Sequence, residues 1–230
     1  MSEVHQNMVL GIDGAKAWRN GEDWRKYMRS WQGLCKADTR LREFVAEPQG
    51  RGRKTFISPK TIDDLATFNH PGLTKTENEL LRNQYKELLQ FSMNNNNSNE
   101  VAFVLSRDFK NKTIDVGNGK EVVFSRKSIN KMMIEKDVYV LHNHPYGYSF
   151  SLDDLDVFNI YPNVRAVALI TNSGRIELLQ KTDKYDILKV RKSSFEALNR
   201  FDSRKAYDEH DGVEAILTNL VKDGLIIWKK

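Results

Sequence analysis

Two histidines separated by one residue stand at the end of an apolar segment, in the run VLHNHPYGYSFSLDDLDVF. Side chains of an extended chain alternate between two faces, so His142 and His144 are expected to point to the same side. Pro145 follows directly, and because it lacks an N–H it takes the chain out of a strand ladder. The segment after the strand is therefore predicted to line a cleft.

A carboxylate follows ten residues after the second histidine. Asp154 is predicted in the first turn of the next helix, where it would complete a His-His-Asp set; Asp153 is the reserve ligand and Asp156 is expected to be solvated. Three protein ligands with one open position are typical of catalytic zinc, whereas structural zinc usually has four ligands, often sulfur. The single cysteine, Cys35, cannot build a thiolate site. A metal bound here is therefore expected to keep an open coordination position.

The elements around this run predict an α+β (α/β) sheet domain. Short apolar, β-branched segments predict strands, and helix-forming segments lie between them. The predicted strands are EVAFVL, beginning at Glu100, then the hairpin TIDVGNGKEVVF turning at Gly-Asn-Gly, DVYVL, VRAVALIT and RIELLQK. The predicted helices are SRKSINKMMIEK and LDDLDVFNIY. Strands and helices mixed at this density indicate a sheet domain with flanking helices.

Helical signals dominate the chain before this region. EDWRKYMRSWQGL carries one apolar stripe at helical spacing. Ser58-Pro59 predicts a helix start, because proline suits the first helical position. Thr74 and Glu77 form a capping box ahead of a leucine-rich helix. That helix is predicted to end in MNNNNSN, a polar run interpreted as a linker.

Helical periodicity returns after Thr182, in two segments, and Gly224 is placed to end the last helix before LIIWKK. We therefore predict three regions. They are an N-terminal helical region over 1–97, a metal-binding core over 98–181 and a C-terminal helical extension over 182–230.

The histidine run resembles the H-x-H-P…S-x-x-D signature of the JAB/MPN (JAMM) metalloproteins. The matching residues are His142, Asn143, His144, Pro145, Ser151 and Asp154. The H-N-H-P form is similar to that of RadC-like proteins and of JAB-like domains in phage proteins. The family also needs a glutamate on an early strand, and Glu100 matches in position. The resemblance covers roughly Asn99 to Gln180 and implies a JAB/MPN-like mixed sheet.

The resemblance also implies roles for these residues. His142, His144 and Asp154 would hold Zn²⁺, the implied cofactor. Glu100 would accept the proton of the attacking water and pass it to the leaving amine, and Ser151 would donate a hydrogen bond to the oxyanion. Five residues separate the proline from the serine, fewer than in the best-known deubiquitinating members, so a tighter metal loop is expected.

Each of these roles has an alternative in the residues themselves. Glu100 also suits an exposed strand start, and Glu121 on the predicted hairpin is the reserve base. Ser151 is a good helix cap, a role compatible with catalysis. Tyr146 and Tyr148 either border a substrate groove or cover the loop.

The remaining histidines have no such context. His70 stands alone before a Pro-Gly turn and is predicted to be a loop residue. His5 and His210 lie in polar surroundings and are expected to face solvent.

The chain is moderately basic, with a net charge of +5 and a pI of about 9.1. This permits attraction to nucleic acid, but the excess is spread out. The densest patch, Arg51, Arg53 and Lys54, is predicted to be a solvated loop, with phosphate contact as the alternative. No apolar run approaches the roughly 18 residues of a membrane span, the start lacks a secretory pattern, and a lone cysteine fits a reducing compartment. A cytoplasmic location is expected.

The leading functional prediction is a zinc-dependent hydrolase that cleaves a peptide or isopeptide amide in a protein or peptide substrate, with a ubiquitin-like conjugate as one candidate. One alternative is a non-catalytic or nucleic-acid-associated accessory module, RadC-like or phage-borne, with nucleic acid as its partner. Another is a toxin or defence effector that uses the same zinc site. The oligomeric state is left open.

Overall fold

A computed structural model describes residues 53–118, 121–200 and 209–230, and by its contacts Gly50–Lys230 forms one compact unit. The helices are α1 Pro59–Asp63, α2 Lys75–Asn95, α3 Arg126–Ile134, α4 Leu152–Ile160, α5 Ile187–Arg200 and α6 Glu209–Lys222. The strands are β1 Val101–Leu105, β2 Lys112–Val116, β3 Val138–His144, β4 Val164–Thr171, β5 Ile176–Lys181 and β6 Ile226–Lys229.

The described strands form one mixed sheet in the order β2-β1-β3-β4-β5-β6. Strands β3 and β4 are parallel, and every other neighbouring pair is antiparallel. The predicted α+β class is therefore confirmed. One row of paired residues crosses the sheet through Ala102, His142, Leu169 and Glu177, so these side chains share a face.

Helices α1 and α2 cover the opposite face of the sheet. Apolar side chains from both helices pack there against alternate strand residues, among them Leu81, Leu88, Phe103, Leu141 and Leu178, all fully buried. Leu141 belongs to this core and His142 follows it, so the strand alternation turns the histidine away from the core. Helices α3 and α4 contact β2 and β4 outside this cluster.

Helix α2 begins after the Thr74 cap and ends inside the run MNNNNSN, both as predicted. Thr74 and Glu77 form the capping box in both directions, with Glu77 N–H donating to Thr74 Oγ1 and Thr74 N–H donating to the Glu77 carboxylate. The polar run MNNNNSN was interpreted as a linker, which is wrong. The helix continues to Asn95, and Ser98 just beyond it is 2% exposed. Packing of the apolar face onto the sheet overrides the weak helix propensity of asparagine.

The predicted hairpin is only half formed. Its first strand is β2, but residues 121–125 are irregular. Ser125 instead caps α3, and its N–H donates to Asp115 Oδ1 at 2.9 Å. Asp115 is 5% exposed and also accepts a hydrogen bond from Ser128. The returning chain is therefore drawn to a buried carboxylate on β2 rather than into a ladder.

The C-terminal region is not purely helical as predicted. Helices α5 and α6 are present, and Gly224, at φ +69°, follows the end of α6. The next residues form β6, which pairs antiparallel with β5 and completes the sheet. The domain boundaries predicted at 97/98 and 181/182 fall inside the compact unit.

Two further predictions concern other parts of the chain. The aromatic stripe in EDWRKYMRSWQGL lies outside the described residues. Among the helices that are described, none combines the length and apolar character needed to cross a membrane.

Candidate metal centre

The two motif histidines lie at the C-terminal end of β3. The strand runs through His144, three residues further than the predicted DVYVL segment. His142 and His144 lie on the same side of it, as strand alternation predicts, and their Nε2 atoms are 2.9 Å apart. Local backbone geometry thus aims two imidazole nitrogens at one point.

Asp154 completes the group from the first turn of α4. Its Oδ1 is 3.0 Å from His142 Nε2, and its Oδ2 is 3.6 Å from His144 Nε2. The three side chains are 8%, 12% and 14% exposed. Among the described residues, this is the group of three or more His, Cys, Asp or Glu side chains that could hold a metal ion, with ligand atoms within 4.8 Å of one another. The reserve ligand Asp153 is exposed and outside it.

The separations fit a tetrahedral ion of zinc's size. Bonds of about 2.0–2.1 Å to nitrogen and oxygen place tetrahedral ligands about 3.3 Å apart. The two Nε2 atoms are 2.9 Å apart, and each lies near a different oxygen of Asp154, with His142 Nε2 3.0 Å from Oδ1 and His144 Nε2 3.6 Å from Oδ2, so the separations are of this order. Two imidazoles and one carboxylate are also a donor set found in catalytic zinc sites with an open position. The residues present therefore suit zinc.

Hydrogen bonds behind the ligands fix their orientation. His144 Nδ1–H donates to the Tyr148 carbonyl at 3.0 Å, which leaves the Nε2 lone pair facing the group. Asp154 Oδ2 accepts from Ser151 N–H at 2.8 Å and from Ser151 Oγ–H at 2.7 Å. Such outer contacts commonly hold metal ligands in place.

Ser151 is the N-cap of α4, as predicted. Its Oγ accepts a hydrogen bond from Asp154 N–H at 3.2 Å, and the Asp154 carboxylate accepts one from Ser151 N–H. The two bonds form a capping box. The serine hydroxyl proton points at the ligand carboxylate in this arrangement. The predicted hydrogen bond to an oxyanion would require that hydroxyl to turn.

The charges of the group are strongly coupled. Burial opposes the charge on His142, but the neighbouring Asp154 carboxylate outweighs it and raises the pKa of His142. Burial likewise opposes ionisation of Asp154, yet the two histidines and the Ser151 N–H lower its pKa well below the usual range. The carboxylate is therefore ionised and ready to bind a cation.

Glu100 lies beside this group, immediately before β1. Its backbone extends the pairing with the β2 side, donating to Asn118 O at 3.1 Å and accepting from Gly117 N–H at 2.9 Å. Ala102 pairs with His142, so Glu100, two residues earlier, is on the same face. Burial raises the pKa of Glu100 to about 7, the charge of His142 opposes this, and nearby carboxylates add to it. The side chain is half-buried, unlike a solvated strand start.

The reserve base is less well placed. Glu121 is exposed and lies in the irregular segment after β2. Its charge does contribute to the raised pKa of Glu100. Of the two glutamates, Glu100 is the one enclosed beside the ligands.

The loop between β3 and α4 is anchored from the neighbouring hairpin, which the sequence reasoning missed. Arg175 Nη2 donates to Gly147 O at 2.9 Å, and Ser149 Oγ donates to Glu177 Oε2 at 2.6 Å. Glu177 is fully buried on β5 and pairs with Arg175 at 2.7 Å. A glutamate in the otherwise apolar strand IELL was the available signal, because a buried charge requires partners. Tyr148, like the other loop tyrosine, is half-buried.

His70 is outside the metal group. It lies in an irregular segment, as predicted, but is 2% exposed rather than at the surface. Its Nε2 is 3.1 Å from the Tyr85 hydroxyl, and its backbone N–H donates to Asn78 Oδ1 at 2.8 Å. Its role is in packing α2 against the sheet.

The basic patch is partly engaged within the chain. Lys54 Nζ donates to Asn97 O at 2.7 Å and to Asn99 Oδ1 at 2.5 Å. Arg51 lies outside the described residues, as does His5; for His210 only the α6 backbone is described.

Comparison of the chain with models of protein families, with curated proteins and with solved structures finds no significant match in any of the three.

Proposed function

We propose that the chain is a zinc-dependent hydrolase of the JAMM type that cleaves a peptide or isopeptide amide bond. The observation that carries the proposal is the convergence of His142, His144 and Asp154, whose ligand atoms lie within 4.8 Å of one another. The resemblance of the motif to the JAB/MPN signature supports the same assignment, since it implies these three ligands. A protein or peptide substrate and a cytoplasmic location belong to the same proposal.

The donor set has the number of ligands that a catalytic ion needs. Three protein ligands leave a fourth tetrahedral position for solvent or substrate. When bound, zinc supplies Lewis acidity, which brings the pKa of water towards about 7 and polarises a carbonyl.

Glu100 is the proposed general base and acid. Burial raises the pKa of Glu100 to about 7 in the metal-free site, and a general base must both take up and release a proton near neutral pH. It removes a proton from the attacking water and delivers it to the leaving amine nitrogen. Ser151 donates to the developing oxyanion after its hydroxyl turns from Asp154, a contribution of about 3 kcal/mol in comparable sites.

The first test is metal content. The purified protein, dialysed against micromolar zinc, is expected to hold about one zinc per chain. Asp154→Asn removes a ligand and should lower zinc affinity at least about tenfold, whereas the matched control Asp153→Asn changes an exposed neighbour and should retain it. Wild-type protein that takes up no zinc would refute the proposal.

The second half of the test is hydrolysis. Zinc-loaded wild type is assayed on peptide amides and on an isopeptide-linked ubiquitin-like conjugate, beside Glu100→Gln. The variant should keep its zinc and lose about 10²–10⁴-fold in rate, because its amide cannot accept a proton. A Glu100→Gln protein as active as wild type would remove Glu100 from the mechanism.

Salt-sensitive DNA binding that survives loss of the histidines would favour the accessory-module alternative.

A further inference from the structure

The residue between the two ligand histidines has its own contacts. Asn143 is 0% exposed, and strand alternation turns its side chain to the face opposite His142 and His144. A buried amide needs partners for one acceptor oxygen and two donor hydrogens. Where those partners lie tells what the residue holds together.

The amide grips the backbone on both sides of Glu100. Asn143 Oδ1 accepts from Val101 N–H at 2.8 Å, and Asn143 Nδ2 donates to Asn99 O at 3.1 Å. Both bonds are made to peptide groups adjoining the proposed base. On its other side, the backbone of Glu100 pairs with the chain that continues from β2.

The Asn143 side chain replaces a backbone pairing that the sheet lacks between β1 and β3. Pairing between β1 and β3 runs as far as Ala102 opposite His142. One further antiparallel step would set Val101 opposite Asn143. At that step the asparagine side chain, which carries the same C=O and N–H groups as a peptide, supplies the hydrogen bonds.

The same amide is locked from behind. Asn143 Nδ2 donates to Asn172 Oδ1 at 2.8 Å, beyond the end of β4. Asn172 in turn donates to Ser98 O at 2.9 Å and to Thr55 O at 2.7 Å. Ser92 of α2 donates to Asn99 O at 2.6 Å. The orientation of the Asn143 amide is thus fixed by buried partners on several elements.

We propose that Asn143 is a positioning residue that sets the place of Glu100 relative to the metal ligands. The inference rests on the proposed function for its catalytic meaning. Asn143 shares β3 with both histidines and holds the peptides next to Glu100, so one side chain fixes ligand and base in a single frame. Misplacement of a proton-transfer group by about 1 Å costs on the order of 10²-fold in rate.

The test compares Asn143→Ala with a matched buried asparagine, Asn78→Ala. Asn78 is 4% exposed and also bonds backbone groups through its amide, accepting from His70 N–H and donating to Leu73 O and Thr74 O, away from Glu100. Both variants should unfold at lower temperature. Zinc affinity per folded molecule should stay within about threefold in both, and hydrolysis should fall about 10²-fold in Asn143→Ala alone.

A double-mutant cycle separates positioning from general loosening. If Asn143 acts through Glu100, adding Asn143→Ala to Glu100→Gln should cost little further activity; independent effects would multiply. Multiplying effects, or equal losses in Asn143→Ala and Asn78→Ala, would overturn the proposal. Should Asn143→Ala fail to fold, Ser92→Ala removes one buried hydroxyl of the same network and should give a smaller loss that is also non-additive with Glu100→Gln.

Amide exchange gives a readout that needs no substrate. Asn143→Ala should speed hydrogen exchange at Val101 N–H by at least tenfold relative to Phe103 N–H in the same strand, because its acceptor is gone. An unchanged exchange rate at Val101 N–H would overturn the positioning role of Asn143, whatever the activity. If exchange is faster in Asn143→Ala but the wild type neither binds zinc nor hydrolyses amides, the structural role of Asn143 stands. The proposed function is then refuted instead.

Discussion

At the residue scale, one capping box both starts a helix and positions a candidate metal ligand. Ser151 bonds the backbone N–H of Asp154 and also its side-chain oxygen. The chemistry that starts helix α4 therefore also points a carboxylate at the two histidines. This explains why Asp154, and not the exposed Asp153, belongs to the group.

This double role gives a prediction. Ser151→Ala should cost about 1 kcal/mol of unfolding free energy through loss of the cap. It should also weaken zinc binding by about 10–100-fold, because the ligand loses an orienting hydrogen bond. Chemical denaturation and competition with a zinc chelator measure the two effects.

The matched control is Ser125→Ala. Ser125 is the N-cap of α3, where its side chain accepts from Ser128 N–H, and it lies outside the metal group. A similar loss of stability with unchanged zinc affinity is expected. Equal zinc affinity in both serine variants would contradict the orienting role of Ser151.

At the scale of elements, the hairpin of β4 and β5 holds the loop that connects the two histidines at the end of β3 to Asp154 in α4. Arg175 and Glu177 reach this loop at Gly147 and Ser149. The loop is short, with five residues between Pro145 and the cap of α4. Few bonds are therefore enough to fix its path.

The prediction at this scale concerns the ion pair of β5. Arg175→Ala leaves the fully buried Glu177 carboxylate without its cation and should cost about 1–3 kcal/mol of unfolding free energy, less than for a pair buried on both sides because Arg175 is 47% exposed. Faster amide exchange over residues 146–150 should accompany the loss. Urea titration and exchange measured by mass spectrometry check the two parts.

Arg165→Ala serves as the control. Its partner Asp183 is 99% exposed at a separation of 3.6 Å, so removal should change stability by less than about 1 kcal/mol. Equal effects of the two arginine substitutions would show that the Arg175–Glu177 pair does not anchor the loop.

At the scale of the whole molecule, one buried histidine links the core to the pH of the solution. His70 contacts the Tyr85 ring on α2 and the Tyr139 ring on β3, and the charge of Lys229 on β6 acts on it. Burial, and secondarily Lys229, lower the pKa of His70 to about 3. Its neutral form is therefore the one that fits the folded protein.

A pH dependence of unfolding follows. The unfolded chain binds a proton at His70 below about pH 6.5, while the folded chain resists it until about pH 3. Stability from this group is therefore complete above pH 6.5 and is lost as the pH falls towards 3. From pH 7 to 4.5, wild type should lose about 2–3 kcal/mol more than His70→Gln in urea titrations. Identical losses would contradict a neutral buried His70.

The sequence determined the local parts of this molecule. Capping residues such as Thr74 and Ser151 located helix starts, and strand alternation put His142 and His144 on one side of β3. These features depend on residues a few positions apart, whose geometry the helix and strand periods fix. They are therefore readable without knowing the rest of the fold.

Only the tertiary structure decided what lies next to the ligands. The pairing of β1 with β3 brings Glu100 beside the site, and the Asn143 amide, the buried Glu177 and the edge strand β6 acquire their partners only after distant segments meet. Strand pairing depends on which distant edges bury apolar faces together, and the two-residue period of a strand carries no record of its neighbour. The resemblance to JAB/MPN proteins named Glu100, and the sheet supplied the physical reason for its position.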